Sequence, residues 1–348
     1  MIEYRQGDIL ETDAEALVNT VNCVGVMGKG IALQFKQAYP DNFKDYEKAC
    51  KKHQVNPGSM FIHPTGSFFN PKYIINFPTK KHWKSKSKLE DIKAGLIELI
   101  KEIRKLNIKS VAIPPLGCGC GGLDWKIVSK LIEEGVSELP EVKIYIFEPA
   151  GSPDPEKIMI SRKKPALTRA RALFISLIDN YATAGYRLSR LEIQKLAYFL
   201  QEIGEPLRLK FVKYHYGPYA HNLNHVLKNL EGHYIRGFGD GTSRAEEAHI
   251  YLLPGAVKEA LLFLGEEPEA IERLKKVSEI IRGFENPHGL ELLSTVHWVV
   301  RENPAIAGNP EKVIQEVKSW SKRKQKMFKD EHIKKVFDHL LKTQMIKV

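Results

Sequence analysis

The stretch Ala16-Leu17-Val18-Asn19-Thr20-Val21-Asn22-Cys23-Val24-Gly25-Val26-Met27-Gly28-Lys29-Gly30-Ile31-Ala32-Leu33-Gln34-Phe35-Lys36 decides the fold. A run of apolar and β-branched residues gives way to closely spaced glycines, and a helical pattern starts directly after them. Strand, glycine turn and helix in that order open an α/β layer structure. The backbone N–H groups of such a turn, together with the dipole of the helix it opens, can cradle a diphosphate. A tight turn that merely needs positive φ leaves the same pattern, so this segment alone names no ligand.

The alternation continues outward. Gly58 to His63, Tyr73 to Phe77, Ser110 to Pro114 and Val142 to Phe147 are strand-like, and helical patterns start near Leu89 and Asp124. Between 89 and 104, Leu89, Ile92, Leu96, Leu99 or Ile100, and Ile103 recur at three- and four-residue steps with Lys and Glu between them, which predicts an amphipathic helix. The whole predicts a three-layer α/β sandwich, a mixed central sheet flanked by helices. Ligands in such sheets bind at the carboxyl ends of strands. A second glycine-rich loop, Pro114-Pro115-Leu116-Gly117-Cys118-Gly119-Cys120-Gly121-Gly122, follows a strand there, and two phosphate cradles in one domain suggest a pyrophosphate. Asp8, in Gly7-Asp8-Ile9 after the first strand, is placed either to accept from an adenine amino group or to cap a turn.

Pro149, Pro153, Pro155 and Pro165, with Ser161-Arg162-Lys163-Lys164, mark a boundary: a first domain over 1–150, a linker over 151–165 and a second domain over 166–348. The second is helix-rich. Ser189 and Glu192 form a capping box ahead of Ile193 to Leu200. Leu207 to Phe211 alternates like a half-buried strand, and 233–253 reads as a hairpin around Gly239-Asp240-Gly241-Thr242. Helices flanking a hairpin predict an α+β unit of winged-helix type.

Length and composition agree with two cores: 348 residues, 43% hydrophobic, without a low-complexity tract. The net charge of +11 favours encounters with polyanions, and the excess lies mostly beyond residue 150, where 32 Lys+Arg face 24 Asp+Glu, against 21 and 18 before it. The opening residues have no charged and apolar leader pattern, and no apolar run approaches the roughly 20 residues of a membrane span, so a cytosolic protein without membrane contact is expected. Cys23, Cys50, Cys118 and Cys120 fit neither zinc spacing nor a disulfide framework. His215, His221 and His225 lack a neighbouring Cys or acidic ligand, and no metal is expected there. The basic run 318–326 with Trp320 is either a phosphate contact or the solvated face of a helix. The loop Lys80-Lys81-His82-Trp83-Lys84-Ser85-Lys86-Ser87-Lys88 could guide a nucleic-acid strand and stack a base on Trp83.

Gly7-Asp8-Ile9, Ala16 to Val24 with its Gly28-Lys29-Gly30-Ile31-Ala32 continuation, and Pro114 to Gly122 together resemble the macrodomain family, which binds ADP-ribose; the likeness covers about residues 1–150. It implies that Asp8 and Ile9 hold the adenine end. Asn22, Gly28, Lys29, Gly30 and Ile31 would then wrap the distal ribose and a phosphate, and Pro115, Leu116, Gly117, Cys118, Gly119, Cys120, Gly121 and Gly122 would enclose the diphosphate. Phe147 is a candidate for stacking on adenine or for the core. Asn76-Phe77-Pro78-Thr79-Lys80-Lys81-His82-Trp83 is similar to the subgroup containing the terminal ADP-ribose glycohydrolase and the DarG antitoxins, which places its catalytic lysine at Lys80. A partly desolvated lysine at a strand end can supply a neutral amine to attack the anomeric carbon of the ribose or its ring-opened aldehyde.

There is one departure: the position matching the terminal glycohydrolase's acidic residue is Gly121, with Asp124 three residues on, in the Gly-Gly-Leu-Asp-Trp form that DarG-like chains share. Asp124 is thus an acid candidate or the cap of the next helix. Segments 213–223 and 284–299 resemble the C-terminal region of that family. The likeness therefore implies an antitoxin that removes ADP-ribose from thymidine in single-stranded DNA, without cofactor, and binds and neutralises a DarT-like DNA ADP-ribosyltransferase toxin. Three other readings stay open: a non-catalytic ADP-ribose reader, a glycohydrolase acting on modified protein or RNA, and a C-terminal domain that binds DNA.

Overall fold

The computed structural model describes residues 1–151, 153–182, 186–265 and 267–347. They cluster into two units, one of Met1–Lys163 with Gly239–Thr242, the other of Lys164–Phe238 with Ser243–Val348.

In the first unit β1 (Ile2–Arg5), β2 (Ala16–Asn22), β3 (Phe61–Pro64), β4 (Tyr73–Lys80), β5 (Ser110–Ile113) and β6 (Lys143–Phe147) form one sheet of order β1-β6-β5-β2-β4-β3. All neighbours run parallel except β3 against β4. This is the mixed sheet expected. Helices α1 (Gly30–Ala38) and α2 (Pro40–Lys51) precede β3, α3 (Leu89–Lys105) joins β4 to β5, and α4 (Trp125–Val136) joins β5 to β6. Strand pleating sends alternate side chains to two cores. Ile75, Phe77, Val111, Ile113, Ile144 and Ile146 meet Ile92, Leu96, Leu99, Ile100 and Ile103 of α3, the predicted apolar stripe, on one face. Leu17, Ile74, Ala112, Tyr145 and Phe147 meet Phe35 of α1 on the other. Gly95 lets α3 settle directly on β4, since a Cβ there would lie 2.2 Å from the Phe77 ring. The parallel strands β1, β2, β4, β5 and β6 all end at one edge of the sheet, and that edge carries the loops that concern function.

The second unit consists of α5 (Arg169–Tyr181), α6 (Arg190–Glu202), β7 (Phe211–Tyr214), β8 (Gly217–Ala220), α7 (Leu223–Leu230), β9 (Ile235–Arg236), β10 (Tyr251–Leu252), α8 (Ala256–Leu264), α9 (Pro268–Ile281), α10 (Pro287–Glu302), α11 (Pro310–Ser319), α12 (Lys322–Met327) and α13 (Asp330–Lys342). The capping box forms: Ser189 accepts from the Glu192 N–H, and Glu192 reaches back to the Ser189 N–H. Helix α10 is buried along Gly289–Val300 and is the axis of this core, with α6, α11, α13 and β8 against it.

Two local expectations are corrected. Leu207 to Phe211 is not a strand; Arg208 takes a left-handed φ of 55°, which breaks the extension, and pairing starts only at Phe211, against Ala220. The 233–253 hairpin shrinks to two paired residues per arm, Ile235 with Leu252 and Arg236 with Tyr251. At Gly237, φ 102°, the backbone crowds the His249 carbonyl so closely that a Cβ would lie 2.0 Å from it, and the ladder ends there. Trp320 of the basic run is buried, its indole N–H donating to the Tyr214 carbonyl at 3.0 Å, while His221 lies edge-on to Tyr214 and Tyr219. No helix among the described residues is long and apolar enough to cross a membrane.

Candidate active site

Strand pairing brings the site together. Asn22 is the last residue of β2 and Lys80 the last of β4, and the two are register partners across a parallel pair. The Cys23 N–H donates to the Lys81 carbonyl at 3.1 Å, and the Cys23 thiol to the Lys80 carbonyl at 3.5 Å, so the backbone either side of the Lys80–Lys81 peptide is pinned to the neighbouring strand. Burial pushes the Cys23 thiol up to about 11, so the group remains a donor at neutral pH. From this base the half-buried Lys80 side chain extends to the loop after β5, where Nζ donates to the Cys120 carbonyl at 3.2 Å. Forty residues apart in sequence, the lysine and the second glycine loop share one site.

The loop after β2 is organised by Asn22. Its side-chain amide donates to the Val26 carbonyl at 2.6 Å and accepts from the N–H groups of Val24 (3.0 Å) and Val26 (3.4 Å). Beneath it Tyr46 of α2, fully buried, donates to the Asn22 carbonyl at 2.6 Å. Asn22 thus shapes the turn from inside, with its amide engaged by loop backbone. Lys29 precedes α1 without a capping side chain, and Ile31 packs on the apolar cluster around Phe35. The Gly30 N–H donates to the Asp240 carbonyl at 3.2 Å and Gln34 to the Asp240 carboxylate at 2.9 Å, Asp240 belonging to the tetrapeptide that clusters with this unit.

The loop after β5 is a chain of tight turns: Cys118 N–H to Pro115 O, Gly122 N–H to Gly119 O and Leu123 N–H to Gly117 O, at 3.3, 3.1 and 3.1 Å. Leu116 is core, Gly117 and Gly121 are buried, and Gly119, Cys120 and Gly122 are exposed. A Cβ at Gly121 would lie 2.2 Å from both the Gly117 carbonyl and the Ser87 hydroxyl, so the position where the terminal glycohydrolase carries an acid has no room for a side chain in this loop. Asp124 instead caps α4, accepting from the Lys126 N–H at 2.9 Å. Gly121→Ala is therefore expected to displace the loop and lower stability by about 1–3 kcal/mol. Gly119→Ala, where a Cβ meets nothing within 4 Å, should be neutral in the same urea unfolding series.

Across the sheet edge, Asp8 accepts from the Leu10 N–H at 2.9 Å as the cap of a short 3-10 turn, Ile9–Glu11. Burial raises its carboxyl above the usual range, the Leu10 bond opposing and the Glu11 charge adding to the rise. Ile9 is buried, and Phe147 sits in the core with Tyr145 and Phe35. Sequence reasoning passed over Ser87, whose N–H donates to the Gly121 carbonyl at 3.1 Å, and Tyr46 and Cys23, which hold the ends of β2 and β4. Cys23 and Ser87 lie within stretches the sequence singles out, the first glycine loop and the basic loop 80–88, whereas Tyr46 carried no signal.

A mixed six-stranded sheet flanked by helices, with two glycine loops and a lysine at the edge where its parallel strands end, is the architecture of a macrodomain, and the Macro domain family matches residues 18–132. The chain is 46% identical over 342 residues to a DNA ADP-ribosyl glycohydrolase of Thermus aquaticus, covering 98% of this chain and 93% of that one. It is 60% identical to the solved macrodomain of Mycobacterium tuberculosis DarG, over 43% of this chain and 99% of that one, with a TM-score of 0.43. A DNA ADP-ribosyl transferase-DNA ADP-ribosyl glycohydrolase fusion protein of Thermosipho africanus is 34% identical over 159 residues, 41% of each. The chain belongs to the DarG family of DNA ADP-ribosyl glycohydrolases.

Proposed function

We propose that this protein is a cytosolic antitoxin that hydrolyses ADP-ribose from thymidine in single-stranded DNA, with Lys80 as nucleophile, and that its second unit binds and neutralises a DarT-like DNA ADP-ribosyltransferase. The observation that carries the catalytic part is the Lys80 amine held at the lip of the second glycine loop, 3.2 Å from the Cys120 carbonyl. Family membership with DNA ADP-ribosyl glycohydrolases supports the substrate. From β1 to β4 the sheet counts four inter-strand steps, roughly 19 Å at 4.8 Å each. That suits an extended dinucleotide-sized ligand with its adenine end at Asp8 and Ile9, its diphosphate over the loops at Gly28 to Ile31 and Pro115 to Gly122, and its distal ribose at Asn22 and Lys80.

The reaction uses the chain's own amine and no cofactor. The Nζ lone pair bonds to the anomeric carbon as the bond from that carbon to the thymine nitrogen breaks, and the base leaves with the electron pair and takes a proton. Water then adds to the same carbon and releases the lysine as a free amine, with ADP-ribose as product. Purified full-length protein should release ADP-ribose from a thymidine-modified oligonucleotide with a kcat/KM at least about tenfold above that on ADP-ribosylated glutamate in protein or on modified RNA; equal or reversed preference overturns the DNA assignment.

For the second unit, the fusion relative supports the reading: in that protein a DNA ADP-ribosyl transferase and a DNA ADP-ribosyl glycohydrolase are joined in one chain. The Lys80→Ala protein, unable to hydrolyse, should still block DNA modification by the transferase stoichiometrically. Failure to do so would remove the sequestration role and leave the hydrolase reading intact.

A further inference from the structure

Directly after Lys80, residues 81–86 form an exposed segment whose two ends are fastened to the site. The Lys81 carbonyl accepts from Cys23, and the Ser87 N–H donates to Gly121. Between them the chain turns tightly: the Ser85 N–H donates to the His82 carbonyl at 3.0 Å and the Lys84 N–H to His82 Nδ1 at 3.2 Å. This turn holds Trp83 outward, 48% exposed, with the His82 ring stacked on it at 5.5 Å and 29° and the Lys84 ammonium 5.0 Å from its centroid. Lys86 reaches over the glycine loop, so close that a Cβ at Gly122 would lie 2.9 Å from its Nζ. Lys81, Lys84, Lys86 and Lys88 take part in none of the ion pairs among the described residues. An ordered, exposed indole set among uncompensated cations is what a flexible single strand needs, a π-face for a base and charges for its phosphates.

We propose that the Lys81–Lys88 segment is the strand-binding platform of the hydrolase, with Trp83 stacking a base next to the modified nucleotide and Lys84 and Lys86 contacting the flanking phosphates. The proposal rests on the DNA reading above and adds to it how the enzyme tells a modified strand from a modified nucleoside.

The test compares kcat/KM on an ADP-ribosylated oligonucleotide with that on ADP-ribosylated thymidine nucleoside. The unsubstituted protein should prefer the oligonucleotide, Trp83→Ala should cut that preference about tenfold, in line with the loss of one stacked base, and Trp83→Phe should keep most of it. Lys84→Gln should flatten the salt dependence of the oligonucleotide reaction and leave that of the nucleoside reaction, which has only its diphosphate to screen, unchanged. A preference unchanged in Trp83→Ala, or both substrates losing equally, overturns the platform. If the unsubstituted protein cleaves neither substrate, the DNA-hydrolase reading is what fails. The platform is then judged on equilibrium binding of an unmodified single-stranded oligonucleotide: a weakening of about tenfold in Trp83→Ala with recovery in Trp83→Phe supports it, and equal affinities overturn it.

Discussion

Lys80→Ala should leave a folded protein that still binds ADP-ribose and has lost at least about a thousandfold of its glycohydrolase activity. Lys80 ends β4 with its side chain half-buried and makes one hydrogen bond, to a carbonyl, so truncation leaves no buried group unpaired and should change stability by less than about 0.5 kcal/mol. The proposed cradle for the diphosphate is backbone, and the substitution does not touch it, so ADP-ribose affinity should stay within a few-fold. Turnover should fall far more, because the substitution removes the proposed nucleophile. Lys80→Arg is the sharper form of the test. It keeps the positive charge and a donor to the Cys120 carbonyl but cannot attack, so it should be as inactive as alanine; appreciable activity in Lys80→Arg would show that the residue acts through its charge. Borohydride added during turnover should trap a lysine adduct on the ring-opened ribose, located at Lys80 by mass spectrometry and missing from Lys80→Ala.

What could be read from the residues was whatever is local. The glycine spacing of Gly25 to Gly30, the run Gly117 to Gly122, and the stripe from Ile92 to Ile103 each need only a short window, and the structure has a turn before a helix, a turn-built loop and a buried helix face at those places. That Lys80 touches Cys120 was not readable, because it depends on the strand order β5-β2-β4, set by packing across the whole sheet. Tyr46 under Asn22 and Ser87 at Gly121 are non-local in the same way. The 233–253 hairpin misled for a different reason. Glycine-rich turn chemistry was present, but the close approach of Gly237 to the His249 backbone ends the ladder before the turn is reached. The run 318–326, open to a phosphate contact or a solvated helix face, hides a core residue: Lys324 is fully buried between half-buried Arg323 and exposed Gln325.

That buried lysine leads to the largest expected effect on stability. Glu291 of α10 receives the ammonium of Lys324 and both arms of the Arg323 guanidinium (2.6 and 3.1 Å), and Lys324 also donates to the Thr295 hydroxyl at 3.1 Å. Nearby Lys195, buried as completely, donates to the Pro218 carbonyl at 2.7 Å and so ties β8 to α6. Burial pushes the Glu291 carboxyl up, but the Arg323 bonds and the Lys324 charge outweigh it and hold the group below the usual range. Glu291→Ala leaves an ammonium in the core without its counter-ion and should cost about 3–5 kcal/mol, a large part of the 5–15 kcal/mol typical of a domain. The urea midpoint of the second unit reports it.

The double variant Glu291→Leu with Lys324→Met tests whether the loss comes from the stranded charge. Replacing both members with apolar side chains of similar size should recover most of the stability, since desolvation of a buried pair offsets much of its attraction; a double variant as unstable as Glu291→Ala would point to packing at position 291 instead. The pH dependence follows from the same cluster. Burial, with the Lys324 charge adding to it, lowers Lys195 to about 7, and burial lowers Lys324 to about 8, against 10.5 for both in the unfolded chain. Between pH 7 and 9 the unfolded state then holds more protons than the folded one, so stability must rise with pH across that window. The slope should diminish in Lys195→Met, which removes one of the two lysines released; an unchanged slope would mean that Lys195 stays charged in the folded core.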